Sequence, residues 1–514
     1  MDLTQLEIYA NALAELEYLQ SLPASEGGIA RGDDFYFARD LRPSSDRFVP
    51  EQGGRGEIAQ AIVAAIRDAG MRPVNLGAIP TPALTCYALA RARGSIMVTG
   101  SHIPFDRNGY KTNSSQGELR KDQEAPIGRR ADEVRARLYA EPADRSAFDP
   151  LGLFKAGHQD LPPEQSLARA AWIARFTDFF RGCSLAAKRI LVYQHSAVGR
   201  DLLVEILERF GAQAIPAGRS DTFVPIDTEN IGEPQLQAIQ ALVREASGDR
   251  PLDAVVSTDG DSDRPLILGV DPATGAARFF GGDLAGMIAA GFLEAGAVVV
   301  PISCNDAVDR GSLASVLEPK TRIGSPYVIA GMEEARRKGR KRICGWEPNG
   351  GFLTGSDLTR NGAVLPALPT RDAVLPILSV LFAASAINIS LPDLFSRLPR
   401  RYSRSALLPN VPRAVGLAIL ARFPPEAGLD ANRARLEQFF TAAGGFSAIK
   451  ALDYTDGLRI LFENGDVAHL RPSGNADELR IYAVADSRAR ADAIAALGVA
   501  EPDGILRQLV RWAY

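Results

Sequence analysis

The sequence Val-Thr-Gly-Ser-His-Ile-Pro places Ser101 and His102 in a loop rich in glycine and proline, directly after the short apolar run Ser95–Val98. A hydroxyl held at the end of a strand in this way can accept a phosphoryl group and hand it on. A following Asn-Gly pair predicts a turn that brings Lys111 back towards the start of the loop. His102 and Lys111 are therefore candidate proton carriers or phosphate ligands. A structural surface loop is the alternative interpretation.

A second segment, Asp-Gly-Asp-Ser-Asp-Arg, ends at Arg264 and follows another predicted strand. We expect Asp259, Asp261 and Asp263 to alternate along an extended strand end, so that their carboxylates converge on one hard cation such as Mg²⁺. Arg264 could then bind phosphate beside the metal. A calcium EF-hand is excluded because Arg264 and Val270 occupy the positions that require glycine and glutamate. Three solvated turn aspartates are the alternative, which the mutual repulsion of packed carboxylates disfavours.

Two further loops carry groups that suit a phosphorylated sugar. In Trp-Glu-Pro-Asn-Gly-Gly, Glu347 follows a predicted strand, where a carboxylate can accept hydrogen bonds from sugar hydroxyls; a plain hairpin or helix cap is the alternative. In Arg-Pro-Ser-Gly-Asn, the Arg471 guanidinium, the Ser473 hydroxyl and the backbone N–H groups around Gly474 suit a phosphate monoester, together with the side chain of Asn475. An ordinary hairpin turn is the alternative there.

Length and charge limit the number of domains and the kinds of partner that the protein can have. The chain has 514 residues, which is more than one hydrophobic core usually supports, so three or four domains are expected. A formal net charge of −4 and a pI near 5.8 argue against a nucleic-acid partner, because such proteins usually present a dominant basic surface. The basic run at 336–342 follows two glutamates at a predicted helix end and is interpreted as a solvated face.

The four cysteines are widely spaced and form no C-x-x-C pattern, so the sequence predicts neither a disulfide scaffold nor a cysteine-rich zinc site. We predict a cytoplasmic location, because a reducing compartment suits such cysteines. The stretch 373–391 is uncharged for 19 residues and raises the question of a membrane span. It contains Pro376 and several polar residues, and Thr370 precedes it as a candidate N-cap. We therefore predict a buried core helix that ends near Ala386, and no membrane partner.

Short apolar runs alternate with helical stretches through most of the chain, which predicts an α/β fold with parallel sheets covered by helices. The C-terminal part changes character, because alternating apolar and polar residues with Asp-Gly and Asn-Gly turns predict an antiparallel meander covered by helices. We predict four domains, one for each of the four loops, at 1–160, 161–275, 276–398 and 399–514.

These four motifs, in this order, resemble the α-D-phosphohexomutase superfamily, which includes phosphomannomutase and phosphoglucomutase enzymes. Thr-Gly-Ser-His-Ile-Pro around Ser101 and Asp-Gly-Asp-Ser-Asp-Arg ending at Arg264 are highly specific, and Arg-Pro-Ser-Gly-Asn is close to the family's Arg-Pro-Ser-Gly-Thr. The resemblance implies a heart-shaped enzyme in which three related α/β domains, with mixed or parallel sheets, and a smaller C-terminal α+β domain surround a central cleft. We expect a monomer or a dimer.

The resemblance also implies the chemistry. Ser101 would be the phosphoserine of the resting enzyme, and the three aspartates would hold Mg²⁺ together with its phosphate. The phosphoryl group would pass to a small-molecule hexose phosphate, giving a hexose 1,6-bisphosphate that turns over in the cleft and returns its other phosphate to Ser101; the bisphosphate is also the expected activator. Arg264 would neutralise the transferring group, while Lys111 or His102 would help the hydroxyl to gain or lose its proton.

The remaining roles follow from the same resemblance. Glu347 and Asn349 would bind the sugar hydroxyls. The phosphate that is not reacting would be bound by Arg471, Ser473, Gly474 and Asn475. Arg42, in Arg-Asp-Leu-Arg-Pro-Ser-Ser, resembles the family's first-domain basic segment and is a further candidate for the cleft.

One loop departs from the family pattern. The sugar loop usually reads Gly-Glu-x-Ser-Gly, often followed by histidine, whereas here the glutamate survives without the serine or the histidine. We predict a phosphomannomutase acting on mannose 6-phosphate and mannose 1-phosphate. Within the class the alternatives are a phosphoglucomutase or dual-specificity enzyme, then a phosphoglucosamine mutase. Outside it they are a haloacid-dehalogenase-type phosphatase, which would use an aspartyl nucleophile, and a non-catalytic sugar-phosphate sensor.

Overall fold

A computed structural model describes residues 4–49, 55–101, 103, 107–229, 231–248, 250–474 and 476–513. His102 and Asn475, both predicted site residues, lie outside these ranges. The chain forms two compact units, one made of Met1–Gly296 with Met332–Phe395 and the other of Ala297–Gly331 with Ser396–Tyr514. The four domain boundaries given above stay a prediction.

The first part of the first unit is a mixed sheet between helices. Its elements are α1 (Gln5–Ser21), β1 (Asp34–Arg39), α2 (Pro43–Asp46), β2 (Phe48–Val49), β3 (Arg55–Gly56), α3 (Ile58–Asp68), β4 (Arg72–Ala78), α4 (Thr81–Leu89), β5 (Ser95–Val98), β6 (Tyr110–Ser114), β7 (Gly117–Glu118) and α5 (Glu124–Tyr139). The strand order is β4-β1-β5-β6-β7, in which the first three are parallel and the last two antiparallel. β5 is buried along its whole length, as its apolar run predicts for a central strand.

A second five-stranded sheet follows. Its elements are α6 (Leu167–Phe179), β8 (Arg189–His195), α7 (Arg200–Arg209), β9 (Gln213–Arg219), α8 (Glu233–Ser247), β10 (Ala254–Thr258), β11 (Pro265–Val270), β12 (Ala277–Phe280) and α9 (Gly282–Phe292). The order β9-β8-β10-β11-β12 again joins three parallel strands to two antiparallel ones. Leaving aside the short β2–β3 pair, this is the topology of the first sheet. The two sheets are therefore related in architecture although their sequences show no strict repeat.

The next elements are β13 (Ala297–Val299), α10 (Ser325–Arg337), β14 (Ile343–Trp346), β15 (Phe352–Thr354), β16 (Leu358–Arg360), β17 (Ala363–Leu365), β18 (Leu368–Asp372), α11 (Val374–Ala386) and α12 (Leu391–Ser396). In the first unit β14, β15 and β18 form an antiparallel sheet.

Thr370 lies inside β18, so the prediction that it caps α11 is wrong: the strand runs on to Asp372, which pairs with β15. The Asp372 carboxylate instead accepts hydrogen bonds from the backbone N–H groups of Val374 and Leu375, at 2.8 and 3.1 Å.

The structure decides between the competing interpretations of two stretches. The uncharged stretch contains α11, a buried helix of 13 residues that ends at Ala386 as predicted. Among the described residues no helix is both long and apolar enough to cross a membrane. The basic run at 336–342 is mostly exposed around the end of α10, as a solvated face would be.

The C-terminal elements belong to the second unit. They are β19 (Tyr402–Pro409), α13 (Arg413–Ala421), α14 (Gly428–Leu436), β20 (Ile449–Asp453), β21 (Leu458–Phe462), β22 (Val467–Pro472), β23 (Glu478–Ala485), α15 (Arg488–Val499) and α16 (Ile505–Ala513). The sheet has the order β19-β23-β22-β21-β20 and is antiparallel throughout, which confirms the predicted meander. The segment 297–331 is fastened to this unit by the buried Arg401, whose guanidinium contacts Asp306 at 2.5 and 2.8 Å.

Candidate active site

The Ser101 loop begins where β5 ends. Ser101 has a φ of 54°, in the left-handed region, which costs a residue with a side chain on the order of 1–2 kcal/mol. The backbone that surrounds it is tied down, because Ser101 N donates to Thr99 Oγ1 at 2.7 Å and Thr99 Oγ1 donates to Asp40 Oδ2 at 2.9 Å. Ser101 itself is 7% exposed. The backbone that leads into Ser101 thus holds its hydroxyl in a defined position.

Arg42 supports the loop from inside the protein. Its Nη2 donates to the carbonyl oxygens of Ser101 and Ile103, at 2.9 and 2.7 Å, and its Nη1 is ion-paired with Asp40. The guanidinium carbon also lies 3.8 Å from the ring centre of Phe223. Arg42 is 1% exposed, so its geometry favours a structural contribution to the loop over direct contact with a ligand.

The segment 259–264, here called the acidic loop, turns sharply, so the expectation of an extended strand end is wrong. Ser262 has a φ of 59°, and the turn closes with Ser262 N donating to the Asp259 carbonyl at 3.1 Å. In an extended chain alternate side chains would lie nearly 7 Å apart. The turn instead gathers one carboxylate oxygen from each of Asp259, Asp261 and Asp263 within 4.8 Å of one another.

The serine loop and the acidic loop are in direct contact. The Ser101 hydroxyl donates to Asp259 Oδ2 at 3.1 Å. A Cβ added to Gly260 would lie 2.7 Å from the Ser101 carbonyl oxygen, so the loops approach this closely only because that residue is glycine. Thr81, at the start of α4, donates its hydroxyl to Asp261 Oδ2 at 2.7 Å and its backbone N–H to the Asp261 carbonyl at 3.0 Å.

Cations surround the three carboxylates. Lys111 Nζ lies 2.7 Å from Asp261 Oδ2 and 3.1 Å from Asp263 Oδ2, and Arg264 Nε lies 3.6 Å from Asp263 Oδ1. Burial acts to lower the pKa of Lys111, but the charges of Asp261 and Asp263 outweigh it and raise that pKa above its ordinary value. The turn of the chain therefore does bring Lys111 back to the site, as predicted.

The pKa values of two of the carboxylates are shifted in opposite directions. Burial, reinforced by the charges of Asp261 and Asp263, raises the pKa of Asp259 well above its ordinary value. Burial also acts to raise the pKa of Asp263, but the charges of Arg371, Lys111 and Arg264 outweigh it and hold that pKa well below its ordinary range.

The donor set fits a hard divalent cation. Asp261 Oδ1 and Asp263 Oδ1 are buried and accept no hydrogen bond from any residue that the structure describes. An unsatisfied buried carboxylate oxygen is costly, and a cation bound by oxygen ligands would remove that cost for both atoms. The residues that meet here are therefore suited to hold a metal.

The segment 346–351, here called the sugar-type loop, is a hairpin turn that also presents a carboxylate. It joins β14 to β15, and Gly350 N donates to the Glu347 carbonyl at 2.9 Å. Asn349 Oδ1 accepts from Gly351 N at 2.9 Å, so part of the Asn349 side chain stabilises the turn. The Glu347 side chain is 6% exposed and lies in the first unit with the acidic loop.

Arg371, on β18, was missed by the sequence analysis. Its Nε and Nη2 donate to Asp263 Oδ2 at 3.0 and 2.8 Å, and its Nη1 donates to Glu347 Oε2 at 3.3 Å. Burial acts to lower its pKa, but Asp263 and Glu347 raise that pKa well above its ordinary value. The only signal in the sequence was an Arg-Asp pair directly before a long uncharged stretch, which points to no particular partner.

The fourth loop belongs to the second unit and connects β22 to β23. Arg471 Nε donates to Asp456 Oδ2 at 3.1 Å, and Asp456 Oδ2 also accepts from Ile323 N at 3.0 Å. Ser473 is 3% exposed, and its backbone N–H donates to the Glu478 carbonyl at 2.8 Å. The backbone here is thus a hairpin connection, in which Ser473 and Gly474 lie, while Arg471 lies at the end of β22 beside it.

Comparison with known proteins was made on the whole chain. It matches three domains described as phosphoglucomutase/phosphomannomutase: alpha/beta/alpha domain I over 36–137, alpha/beta/alpha domain III over 281–402 and the C-terminal domain over 421–498. Proteins called phosphomannomutase from Sinorhizobium fredii and Salmonella muenchen are each 38% identical to it, over 92% and 84% of this chain and 91% and 82% of their own lengths. Among solved structures, a phosphoglucomutase/phosphomannomutase family protein from Burkholderia thailandensis has the same fold, with a TM-score of 0.66 at 17% identity over 99% of this chain and 93% of its own.

Proposed function

Because the chain belongs to the phosphoglucomutase/phosphomannomutase family, and is a phosphohexomutase and thus an isomerase, we propose that it interconverts mannose 6-phosphate and mannose 1-phosphate. The observation that carries the chemistry is the contact between the Ser101 hydroxyl and Asp259 beside a buried acidic triad. The choice of mannose is supported by the two relatives that are 38% identical and are both called phosphomannomutase.

In this proposal Ser101 carries the phosphoryl group. The P–O bond to the Ser101 oxygen breaks as a new P–O bond forms to the free hydroxyl oxygen of the mannose phosphate, which gives a hexose 1,6-bisphosphate. The proton of that hydroxyl passes to the Ser101 oxygen. After the bisphosphate has turned over, its other phosphate returns to Ser101 by the reverse exchange, so each turnover regenerates the phosphoserine. The same bisphosphate would act as activator by phosphorylating Ser101.

Asp259, Asp261 and Asp263 would hold Mg²⁺, whose charge supplies electrostatic stabilisation of the phosphoryl group when it is bound. Arg264, which lies against this triad, would neutralise further charge on the transferring group. Lys111, kept protonated by Asp261, would relay this one proton by giving its own to the Ser101 oxygen and recovering the proton of the sugar hydroxyl, and His102 is the other candidate for this transfer.

The remaining residues would bind the sugar and its second phosphate. Glu347 and Asn349 would contact the hydroxyls, and the carboxylate of Glu347 is the stronger candidate because the Asn349 oxygen already accepts a hydrogen bond within the turn. The phosphate that is not reacting would be bound by Arg471, Ser473, Gly474 and Asn475. Arg42 would hold the Ser101 loop in place.

We also propose a cytoplasmic location. The four cysteines are widely spaced in the sequence and form no C-x-x-C pattern, which suits a reducing compartment.

Phosphorus NMR tests the proposed function. Purified protein is incubated with Mg²⁺, mannose 1-phosphate and a trace of hexose 1,6-bisphosphate, with glucose 1-phosphate and glucosamine 1-phosphate in parallel. We expect conversion to the 6-phosphate, fastest with mannose. Faster conversion of glucose 1-phosphate or glucosamine 1-phosphate would make that sugar phosphate the preferred substrate in place of mannose 1-phosphate. Inorganic phosphate as the only product would indicate a phosphatase. Binding without conversion of any of the three would indicate a sensor.

A further inference from the structure

Arg371 connects two parts of the site that come from distant segments of the chain. Its guanidinium donates two hydrogen bonds to Asp263 Oδ2 in the acidic triad, at 2.8 and 3.0 Å, and a third to Glu347 Oε2 in the sugar-type loop, at 3.3 Å. The Arg371, Asp263 and Glu347 side chains are 14%, 1% and 6% exposed. Because all three side chains are largely buried, these contacts are little weakened by solvent.

The fold makes room for this side chain. Phe352 on β15 pairs with Asp372 on β18, and the residues that precede these two in the sequence, Gly351 and Arg371, lie in contact. A Cβ on Gly351 would lie 2.3 Å from Arg371 Cδ and 2.6 Å from its Cγ. The second glycine of the sugar-type loop is therefore required for the arginine to pass beneath the loop.

Only a guanidinium can make this connection. Its planar fork has donors that point in two directions, so one side can face Asp263 while the other faces Glu347. A lysine ammonium in the same place is a compact charge that would favour one carboxylate. Lys111 contacts two carboxylates, at 2.7 and 3.1 Å, but these belong to Asp261 and Asp263, which lie close together in one loop.

We infer that Arg371 is a positioning residue of the phosphohexomutase site, which fixes the Glu347 carboxylate relative to the acidic triad. The sugar hydroxyls that Glu347 binds are then held at a constant distance from the centre of phosphoryl transfer. The sugar-type loop carries neither the serine nor the histidine usual in the family, and Arg371 provides the cationic partner for its only carboxylate. This inference rests on the proposed function, because it assigns Arg371 to the binding of the same hexose phosphate.

The test is a double-mutant cycle read out by binding. Mannose 1-phosphate is titrated calorimetrically, in the presence of Mg²⁺, into the S101A protein, which cannot transfer a phosphoryl group. The same titration is made with S101A combined with R371K, with E347Q, and with both. R360K is the matched control, because Arg360 contacts the Phe292 carbonyl and ring away from the site. Glucose 1-phosphate and glucosamine 1-phosphate are titrated in parallel.

We expect R371K to raise the dissociation constant by about 10–100-fold, the range found when residues that orient ligand-binding groups are changed, and R360K to leave it unchanged. In the E347Q background R371K should have little further effect, because Arg371 acts through Glu347. A loss that stems from general destabilisation would instead add to that of E347Q.

Each other outcome has a definite meaning. Unchanged binding in R371K, or full additivity with E347Q, would overturn the role of Arg371 and leave the proposed function intact. Binding of none of the three sugar phosphates would overturn the proposed function and this inference with it. If R371K melts at a lower temperature than R360K, the G351A variant serves in its place, because it displaces the arginine without deleting it, and the same loss of affinity is expected.

Discussion

The Ser101 hydroxyl donates a 3.1 Å hydrogen bond to Asp259 Oδ2 across 158 residues of sequence. Both residues are nearly inaccessible to solvent, and the contact depends on Gly260, which lets the two loops approach. A hydroxyl in this position faces a group of three carboxylates suited to a divalent cation. The contact brings the proposed acceptor of the phosphoryl group to the proposed metal site.

Replacing Ser101 by alanine should abolish turnover while the fold remains. The variant lacks the oxygen that would carry the phosphoryl group, so we expect the rate to fall by about a thousandfold or more. Intact-mass measurement after incubation with hexose 1,6-bisphosphate should show one added phosphoryl group on the wild type and none on S101A. S115A is the matched control, since Ser115 donates to the Gly28 carbonyl on a turn outside the site. Phosphorylation of S101A would assign the nucleophile elsewhere.

Mg²⁺ should stabilise the protein through the acidic triad. A ligand present at about one hundred times its dissociation constant stabilises the folded state by about 2.7 kcal/mol, which raises the temperature of unfolding. We expect this rise in the wild type, its loss on adding EDTA, and a much smaller rise in D261N. D271N is the control, because Asp271 accepts hydrogen bonds only within its own exposed turn. Equal stabilisation of D261N and wild type by Mg²⁺ would show that the metal binds elsewhere.

Glu347 should govern sugar binding more than phosphoryl transfer to the enzyme. In E347Q we expect the KM for mannose 1-phosphate to rise by about tenfold or more, because a charged acceptor of hydroxyl hydrogen bonds is lost. Phosphorylation of Ser101 by the bisphosphate should still reach completion by mass. E294Q, which changes an exposed partner of Arg342, should behave as wild type. An E347Q protein that lost only Ser101 phosphorylation would contradict the assignment.

The sequence was sufficient for features that depend on local pattern. The apolar run Ser95–Val98 became β5, with Ser101 in the loop that follows it, and the uncharged stretch became a buried helix ending at Ala386. Each of these depends on burial of neighbouring residues, which periodicity and composition report directly. We expected related α/β domains, but the strand order that the first two sheets share could be seen only in the structure.

Features that depend on the path of the backbone or on distant contacts were not predictable. The acidic loop was expected to be extended, but the left-handed conformation of Ser262 turns it, and serine gives no sign of that conformation in a sequence. Arg371 reaches Asp263 across 108 residues and passes under Gly351, so only the packed structure reveals its partners. Thr370 was a reasonable cap by residue type, yet strand pairing extends beyond it to Asp372.

His195 should make the protein less stable in acid. Burial lowers its pKa from the ordinary 6.5 to about 4, so the neutral form is favoured in the folded state. The unfolded chain binds the proton first as pH falls, so the stability present above about 6.5 is lost between 6.5 and 4, up to about 3 kcal/mol. In H195Q, whose side chain can still donate to the Thr258 carbonyl but does not titrate, melting temperatures should fall less than in wild type between about pH 7.5 and pH 5.

His158 provides a control of opposite sign. The hydrogen bond that the His158 imidazole donates to the Glu57 carboxylate raises the pKa of His158, so the stability it contributes is present below the ordinary pKa and is lost as pH rises through the higher value. H158Q should therefore lose stability relative to wild type at acidic pH and little at alkaline pH. Identical pH dependence in wild type, H195Q and H158Q would show that neither histidine is linked to folding.

Gly260 should be irreplaceable even by alanine. The added Cβ would lie 2.7 Å from the Ser101 carbonyl oxygen and 2.7 Å from the Phe223 ring, so the serine and acidic loops must move apart. A displacement near 1 Å at a reacting group can reduce the rate by about a hundredfold, and we expect G260A to lower kcat by that order. G128A is the matched control: nothing lies within 4 Å of its added Cβ, and the residue sits inside helix α5, where alanine should stabilise by about 0.5–1 kcal/mol. Wild-type kcat in G260A would mean that the contact between Ser101 and Asp259 is not required for turnover.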